Sequence, residues 1–549
     1  MPDNNPFFPK LFSPGRIGEM ELRNRIVMPP MGTGHGSTEG YVTEKLTDYY
    51  EARAKGGVGL VIIEVTCVDA ATGMDMPGRL VVDDDKFVPG LSQLAEAIHR
   101  HGAKAALQLH HGGRVAKSAL TGRQPVAPSA IPMPSSGWAW ENPEIPRELT
   151  IAEIKQLVNK YAEAAQRARK AGFDAVDIHA QGLYLPAQFL SAASNKRQDE
   201  YGGELKNRAR FLLEIIRAIR QSLGSKVPIG VRVNGDDFIG QGGWNLSELS
   251  RLAPILERET VDYVSISAGA STMGTLHYTV MPMYQEQGIF SHFSEEIKKH
   301  VSIPVSIVGR IKDPVMADRL IAEKKADLVV MARAQIADPE MVEKARNGDM
   351  ADIRWCLGDC LGCIEGILRH GEATCTVNPR LGREYLIREV EGEKKAAARR
   401  VLVAGAGPAG LEAARRAAFA GHKVTLCESR GWIGGQMRLA AMMPKRSEIG
   451  DIISWYERQL NKLGVEIRLN VTVDAELLGH IRPDVLVIAT GSLPEVPLGF
   501  VDGLSHIRDI EVLMVDELVE DTRLTGDAVL VVGGDQIGLQ VADYLAERG

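Results

Sequence analysis

Cysteine is scarce in this chain, six among 549 residues, and that scarcity excludes a disulfide framework as the source of stability. No apolar run is long enough to span a bilayer, so a membrane partner is not expected. There is no excess of basic charge: the net charge is −7, which argues against nucleic acid as the partner. No basic stretch followed by an apolar one opens the sequence, so a secretory segment is not visible and a cytoplasmic location is expected. What remains is an ordinary globular composition, 44% hydrophobic and 25% charged. It is spread over a chain too long for one core, which predicts two or three domains.

The few cysteines are unevenly placed. Cys356, Cys360, Cys363 and Cys375 form a C-x3-C-x2-C-x11-C string, and only Cys67 and Cys427 lie elsewhere, where they read as small buried hydrophobes. Four thiolates from one loop-rich segment suit a 4Fe-4S cluster. Structural zinc is the rival, but its sites usually show two C-x2-C knuckles, and here only Cys360 and Cys363 make one.

Upstream, short β-branched runs recur, each followed by a helix-like stretch. They are NRIVMPP (24–30), GVGLVIIEVT (57–66), KAALQLH (104–110), AVDIHA (175–180), PIGVRVN (228–234), YVSISAG (263–269), PVSIVG (304–309) and LVVMAR (328–333). Eight such strands alternating with amphipathic segments predict an α/β fold, a TIM (β/α)8 barrel over residues 1–350, with a doubly wound open sheet as the alternative. The helix opening at Thr150 has Glu153 three residues on, a capping-box signature. Barrel chemistry sits at strand C-termini. Those ends carry Pro30, Met31, Gly32 and Thr33, Glu64, Gln108 to His110, His179, Arg232, Gly309 with Arg310, and Ala332 with Arg333. Arg232 ends a buried strand and calls for an anionic partner. Three arginines at one mouth favour a phosphorylated cofactor.

Downstream, VLVAGAGPAG places Gly405, Gly407, Ala409 and Gly410 in a G-x-G-x-x-G turn between a strand and an amphipathic helix. Glu428 ends the next strand at the distance expected of a ribose hydroxyl acceptor. A second strand–turn–helix, AVLVVGGDQIGLQVADYLAERG, begins at Ala528. There Asp535 stands where the middle glycine should be, and a carboxylate opposes a pyrophosphate. The expected division is a barrel over 1–350, an iron–sulfur segment and linker over 351–395, a Rossmann-like domain over 396–525, and the start of a second nucleotide-binding domain, apparently incomplete, over 526–549.

The motifs NRIVMPPMGTG, ALQLHHGGR, QPVAPSAIP, AGFDAVDIHA, QFLSAASNKRQDEYGGELKNRARF and VVMARAQIADP resemble the old yellow enzyme family of FMN-dependent ene-reductases. With the cysteine string and VLVAGAGPAGLEAARRAAFAGHKVTLCE behind them, the chain resembles the longer iron–sulfur branch of that family. That branch includes 2,4-dienoyl-CoA reductase, 2-enoate reductase and trimethylamine dehydrogenase. The resemblance implies FMN at the barrel mouth, with Pro30 and Met31 against the isoalloxazine and Gly32 and Thr33 nearby. It implies Gln108 on the polar edge of the ring, Arg232 facing N1–C2, and Gly309, Arg310, Ala332 and Arg333 on the phosphate. It also implies FAD on the glycine turn, with Gly435 and Gln436 of IGGQ and Thr490 and Gly491 of VLVIATG completing the set. NAD(P)H is then the electron donor.

The resemblance places a proton donor at Tyr184, because a phenol stays protonated at neutral pH yet can serve a forming enolate. His179 matches the first of two histidines that bind a substrate oxygen, but the second position is Gly182, so that clamp is incomplete. His277 is the candidate to replace it. The Pro-rich stretch 124–146, with Trp138 and Trp140, is read as a lid. In the cysteine string Asp359 occupies the family's usual second-ligand position, and Cys360 has moved one residue along. The expected activity is NAD(P)H-dependent reduction of an activated C=C bond in a small-molecule thioester, acid or ketone. The alternative is an FMN-dependent dehydrogenase that passes electrons to a carrier protein. Homo-oligomeric assembly is left open.

Overall fold

The eight β-branched runs become eight parallel strands in a computed structural model that describes residues 5–134, 143–270, 272, 274–387, 397–492, 512–520 and 528–548. They are β1 (Ile26–Met28), β2 (Leu60–Cys67), β3 (Lys104–His110), β4 (Ala175–Ala180), β5 (Ile229–Asn234), β6 (Tyr263–Ser267), β7 (Val305–Ile307) and β8 (Leu328–Val330). Each pairs with the next in sequence, and β1 pairs with both β8 and β2, so the sheet closes on itself. Closure settles the architecture as a TIM-like barrel and removes the open-sheet alternative.

The reason is burial on both faces. β2, β4, β5 and β6 are buried at every position, as strands between a packed lumen and a helical coat must be. Inward residues such as Val27, Leu60, Ala106, Tyr263 and Val330 share one cluster with Ile17, Met20 and Leu22 of an N-terminal hairpin (Gly15–Ile17 with Met20–Leu22). Each large apolar side chain buried this way contributes about 1.5–3 kcal/mol. The outer layer includes α1 (Glu44–Lys55), α2 (Val88–His99), α3 (Ile151–Lys170), α4 (Arg210–Leu223), α5 (Leu246–Arg258), α6 (Ser291–Ile297), α7 (Pro314–Ala322) and α8 (Ala332–Ala337). The capping box forms as the sequence predicts: Glu153 N donates to Thr150 Oγ1 at 3.3 Å and Thr150 N donates to Glu153 Oε2 at 2.8 Å. Such caps stabilise a helix by about 1 kcal/mol.

The chain divides into two compact units, residues 1–389 and 390–549, so the cysteine segment belongs with the barrel. The second unit is a parallel sheet in the order β11-β10-β9-β12, from β9 (Arg400–Ala404), β10 (Lys423–Glu428), β11 (Glu466–Leu469) and β12 (Val485–Ile488). Among its helices are α9 (Pro408–Phe419), α10 (Gln436–Met442), α11 (Gly450–Lys462) and α12 (Gln536–Arg548). Tyr544 of α12 packs on Leu439 and Met443 at α10. The strand expected from Ala528 onward does not form: 528–534 is irregular, and Leu530 is 87% exposed. An apolar run becomes a strand only where a neighbouring edge pairs with it. Part of the charged connector, 388–396, lies outside the described residues. Among the described residues no helix is long and apolar enough to cross a membrane.

Candidate active site

The C-terminal ends of the barrel strands surround a cavity of about 280 Å³. Pro29 and Pro30 stop β1 by removing ladder donors, and the chain crosses the mouth as Pro30, Met31, Gly32 and Thr33, all lining the cavity. Glu64 of β2 fixes that turn: Thr33 donates to Glu64 Oε2 from its backbone N at 3.0 Å and from Oγ1 at 2.6 Å. Burial pushes the Glu64 carboxyl up to about 7 against the pull of those bonds.

Beneath the mouth lies a buried polar layer. Gln108 Nε2 and the Tyr263 hydroxyl donate to the two oxygens of Asp177, at 2.6 and 2.7 Å. Arg232 lines the cavity, and its Nε donates to Gln181 Oε1 at 2.7 Å while Nη1 is buried without a partner. Burial lowers the Arg232 guanidinium and raises the Asp177 carboxyl, and each charge opposes the shift of the other. Gln108 is fully buried below the cavity wall, with Oε1 unpartnered. An apolar turn and an orphaned guanidinium N–H lining one cavity fit the flat isoalloxazine of FMN with its electron-rich N1–C2 edge.

His179 and Tyr184 line the same cavity. Tyr184 precedes a short helix (Leu185–Leu190), and its ring lies 4.3 Å from that of His179 and 4.5 Å from that of His110. His110 Nδ1 stands 3.2 Å from His179 Nδ1, so two histidines do meet here, the second supplied by β3 rather than by position 182. Burial pushes the Tyr184 phenol up to about 12 and drives His179 well below the usual imidazole range, leaving both neutral at pH 7. Asp75 and Arg79 also line the cavity as an ion pair with N···O 3.2 Å. Sequence reasoning missed this pair and Gln181. The available signal was an acid and a base at i,i+4 spacing in the Met- and Gly-containing loop MDMPGR.

At the expected phosphate end the residues separate. Arg310 and Ala332 line the cavity, and Arg310 Nη1 donates to Gln285 O at 2.5 Å. Gly309 does not line it. Arg333 lines it too, yet its guanidinium donates to Cys360 Sγ at 3.2 Å and to Met281 O at 2.7 Å, turning the cation toward the cysteines. His277 is not among the lining residues; its neighbours Leu276 and Thr279 are, and its ring lies 4.0 Å from that of Tyr278. Trp138 and Trp140 lie outside the described residues.

Cys356, Cys360, Cys363 and Cys375 border one small enclosed space with Arg333, Ile336 and Asp359. A Cβ on Gly362 would stand 2.8 Å from Cys375 Cα, so a glycine is needed where the two halves of the string meet. Cys360, one residue beyond the position that the resemblance leads one to expect, has left-handed backbone, with φ 64°. Asp359 turns away to accept the Thr376 hydroxyl at 2.6 Å. Among the described residues no three His, Cys, Asp or Glu converge tightly enough to hold a single metal ion. Burial pushes Cys375 up to about 11 and also raises Cys363, so bound metal would have to supply the charge that ionises them. The same segment walls the cavity through Ile364, Ile367 and Ala373, and Ala373 N donates to Thr33 O at 2.7 Å.

In the second unit the glycine turn assembles as its spacing requires. Gly405 has φ 103° and lies against β12, where an added Cβ would stand 2.3 Å from Ala489 O and 3.2 Å from Thr490 Cα. A Cβ on Gly410 would be 1.8 Å from Gly405 O, which fixes the approach of α9. Nothing lies within 4 Å of a Cβ at Gly407, the position a pyrophosphate would approach. Ala409 stands in the first turn of α9. Glu428 accepts from Ala406 N at 2.7 Å, Gly435 would touch Gly407 Cα at 3.0 Å, and Gln436 Nε2 donates to Ser492 O, next to Gly491, at 3.0 Å. Here Gly405, Gly407, Gly410, Gly435 and Thr490 come together around one turn.

Residues 10–351 match the NADH:flavin oxidoreductase / NADH oxidase family, and residues 399–549 match the pyridine nucleotide-disulphide oxidoreductase family. An NADH oxidase of Thermoanaerobacter brockii is 42% identical over 546 residues, covering 99% of this chain and 82% of the relative. A cinnamate reductase of Clostridium sporogenes is 33% identical over 567 residues, covering 98% of this chain and 81% of the relative. A solved 2-naphthoyl-CoA reductase in complex with 2-naphthoyl-CoA is 32% identical with TM-score 0.90, covering 99% of this chain and 82% of that one.

Proposed function

The chain belongs to the NADH:flavin oxidoreductase / NADH oxidase family, and on that premise we propose that it reduces the activated C=C bond of an α,β-unsaturated thioester, acid or ketone at the expense of NAD(P)H. It is a flavin-type oxidoreductase in which a pyridine-nucleotide oxidoreductase domain follows the barrel in sequence. The observation that carries the finer reading is that Tyr184 shares one cavity with the Pro30 to Thr33 turn and with Arg232. Bound FMN would supply the hydride. Pro30, Met31, Thr33 and Arg232 would hold it, with Arg232 favouring a negative charge on the ring. Tyr184, protonated at neutral pH, would give its proton to the α-carbon, and the rings of His179 and His110 packed against it would keep the phenol in position.

We assign the four cysteines to a 4Fe-4S cluster and the glycine turn, with Glu428, Gly435, Gln436, Thr490 and Gly491, to FAD. Both would carry electrons from NAD(P)H to the barrel. Iron, sulfide, FMN and FAD analysis of anaerobically purified protein tests those assignments. The activity is tested by two half-reactions in stopped flow. NADH or NADPH should bleach the flavin of wild type and Tyr184→Phe alike. Reoxidation by an enoyl substrate should slow by about 10²–10⁴-fold in Tyr184→Phe. Equal reoxidation rates would remove Tyr184 from the mechanism, and flavin that nicotinamides cannot bleach would sink the reductase reading. One observation favours the dehydrogenase alternative: Asp535 Oδ1 accepts Gly538 N at 2.9 Å, so a carboxylate holds an amide that a nicotinamide pyrophosphate would use.

A further inference from the structure

The Asp75–Arg79 pair takes no part in the chemistry above, yet it stands in the wall of the same cavity. Arg79 Nε donates to Asp75 Oδ1 at 3.3 Å, and Nη2 donates to Asp75 Oδ2 at 3.2 Å and to Met76 Sδ at 3.4 Å. Nη1 makes no hydrogen bond among the described residues. It lies against the β1 turn so closely that a Cβ on Gly32 would stand 1.9 Å from it. Asp75 thus grips one edge of the guanidinium and Gly32 supplies the space for the other, in a wall that Arg79 shares with Tyr184 and His179.

We propose that Arg79 anchors the free carboxylate of an α,β-unsaturated acid, and that this makes enoates, rather than ketones or thioesters, the preferred substrates. The proposal rests on the ene-reductase reading. A guanidinium is the donor best matched to carboxylate oxygens, and it cannot lose its charge in a closed site. It also acts where the reaction needs it. Hydride addition to the β-carbon converts the C=C π pair into a carbanion shared with the carboxylate, and a fixed cation stabilises that added charge most in the transition state. The proton of Tyr184 then forms the α C–H bond, and the phenolate recovers a proton from solvent.

The test is equilibrium binding, read from the flavin absorbance of oxidised holoenzyme titrated with cinnamate and with benzalacetone, its neutral methyl-ketone analogue. Removing Arg79 alone would strand a buried carboxylate, so the variant is the charge-neutral pair Asp75→Asn/Arg79→Met. It should lose at least tenfold in cinnamate affinity and keep benzalacetone within twofold. Arg79→Lys keeps both charges of the pair but gives up the planar fork that a carboxylate would take; it should reproduce the selective loss if the double variant fails to fold. Equal weakening of both ligands, unchanged cinnamate binding, or a wild type that binds no cinnamate overturns the proposal. Loss of FMN from both variants overturns it too, because Arg79 would then serve the flavin. Selective cinnamate binding without reduction would support the anchor and sink the ene-reductase reading instead.

Discussion

The second unit contains two glycine turns that share a backbone and differ in one side chain. In the first, a Cβ on Gly410 would stand 1.8 Å from Gly405 O; in the second, a Cβ on Gly538 would stand 2.0 Å from Gly533 O. Both helices therefore approach their turns through the same steric requirement. The middle positions diverge. Gly407 opens onto empty space, whereas Asp535 fills its own turn with a carboxylate that accepts Gly538 N at 2.9 Å. One turn keeps its first amides for a ligand, and the other spends one on itself. The comparison separates what a glycine does for packing from what it does for binding.

Breaking the shared part should have the largest effect. Gly410→Ala forces a methyl group onto a backbone oxygen that cannot swing away, and should destabilise the second unit by about 3 kcal/mol. Thermal unfolding followed by FAD release would read it, and Gly538→Ala should cost a similar amount by the same collision. An Ala at either site without a shift in unfolding would mean that the close approach is not required. The unshared part comes next. Gly407→Asp writes the second turn's residue into the first and places a carboxylate against the pyrophosphate of FAD. We expect about fiftyfold weaker FAD retention, roughly 2.3 kcal/mol, with FMN content unchanged. Normal FAD content in this variant would show that the flavin does not lie on Gly407.

The same contrast explains what was legible in the sequence. Gly405, Gly407 and Gly410 were readable because their requirement is local and steric, and the barrel was readable because strands buried on both faces give unbroken β-branched runs. The run from Ala528 looked identical to those strands but did not form one, because strand formation depends on an available edge and not on the run itself. His277 was placed by motif alone, and the fold leaves it off the cavity. Arg79 was invisible for the opposite reason: its setting is created by Gly32, in a different loop, and no spacing rule links the two. Arg333 shows a third case, since its position at a strand end was correct but its direction, toward Cys360, is set by the cysteine segment.

Undoing Asp535 should have smaller effects, and they sharpen the comparison most. Asp535→Gly makes the second turn like the first, and should improve NADH or NADPH binding to the full chain by about tenfold, or 1.4 kcal/mol. The cost is small, because glycine replaces an N-terminal helix cap with a loss of only a few tenths of a kcal/mol.

Asp535→Asn asks which property of the carboxylate matters. Asparagine keeps the side-chain oxygen that accepts Gly538 N, so the cap and the occupied amide both survive, and only the charge is lost. If repulsion of the pyrophosphate is the main obstacle, nicotinamide binding should improve by about threefold and the improvement should shrink as salt is raised, since screening weakens the repulsion in wild type. Should the obstacle be the occupied amide instead, Asp535→Asn would bind like wild type at every salt concentration while Asp535→Gly alone gains. Fluorescence titration of both variants against wild type at low and high ionic strength separates these outcomes, and with them the electrostatic and steric shares of the one side chain by which the two turns differ.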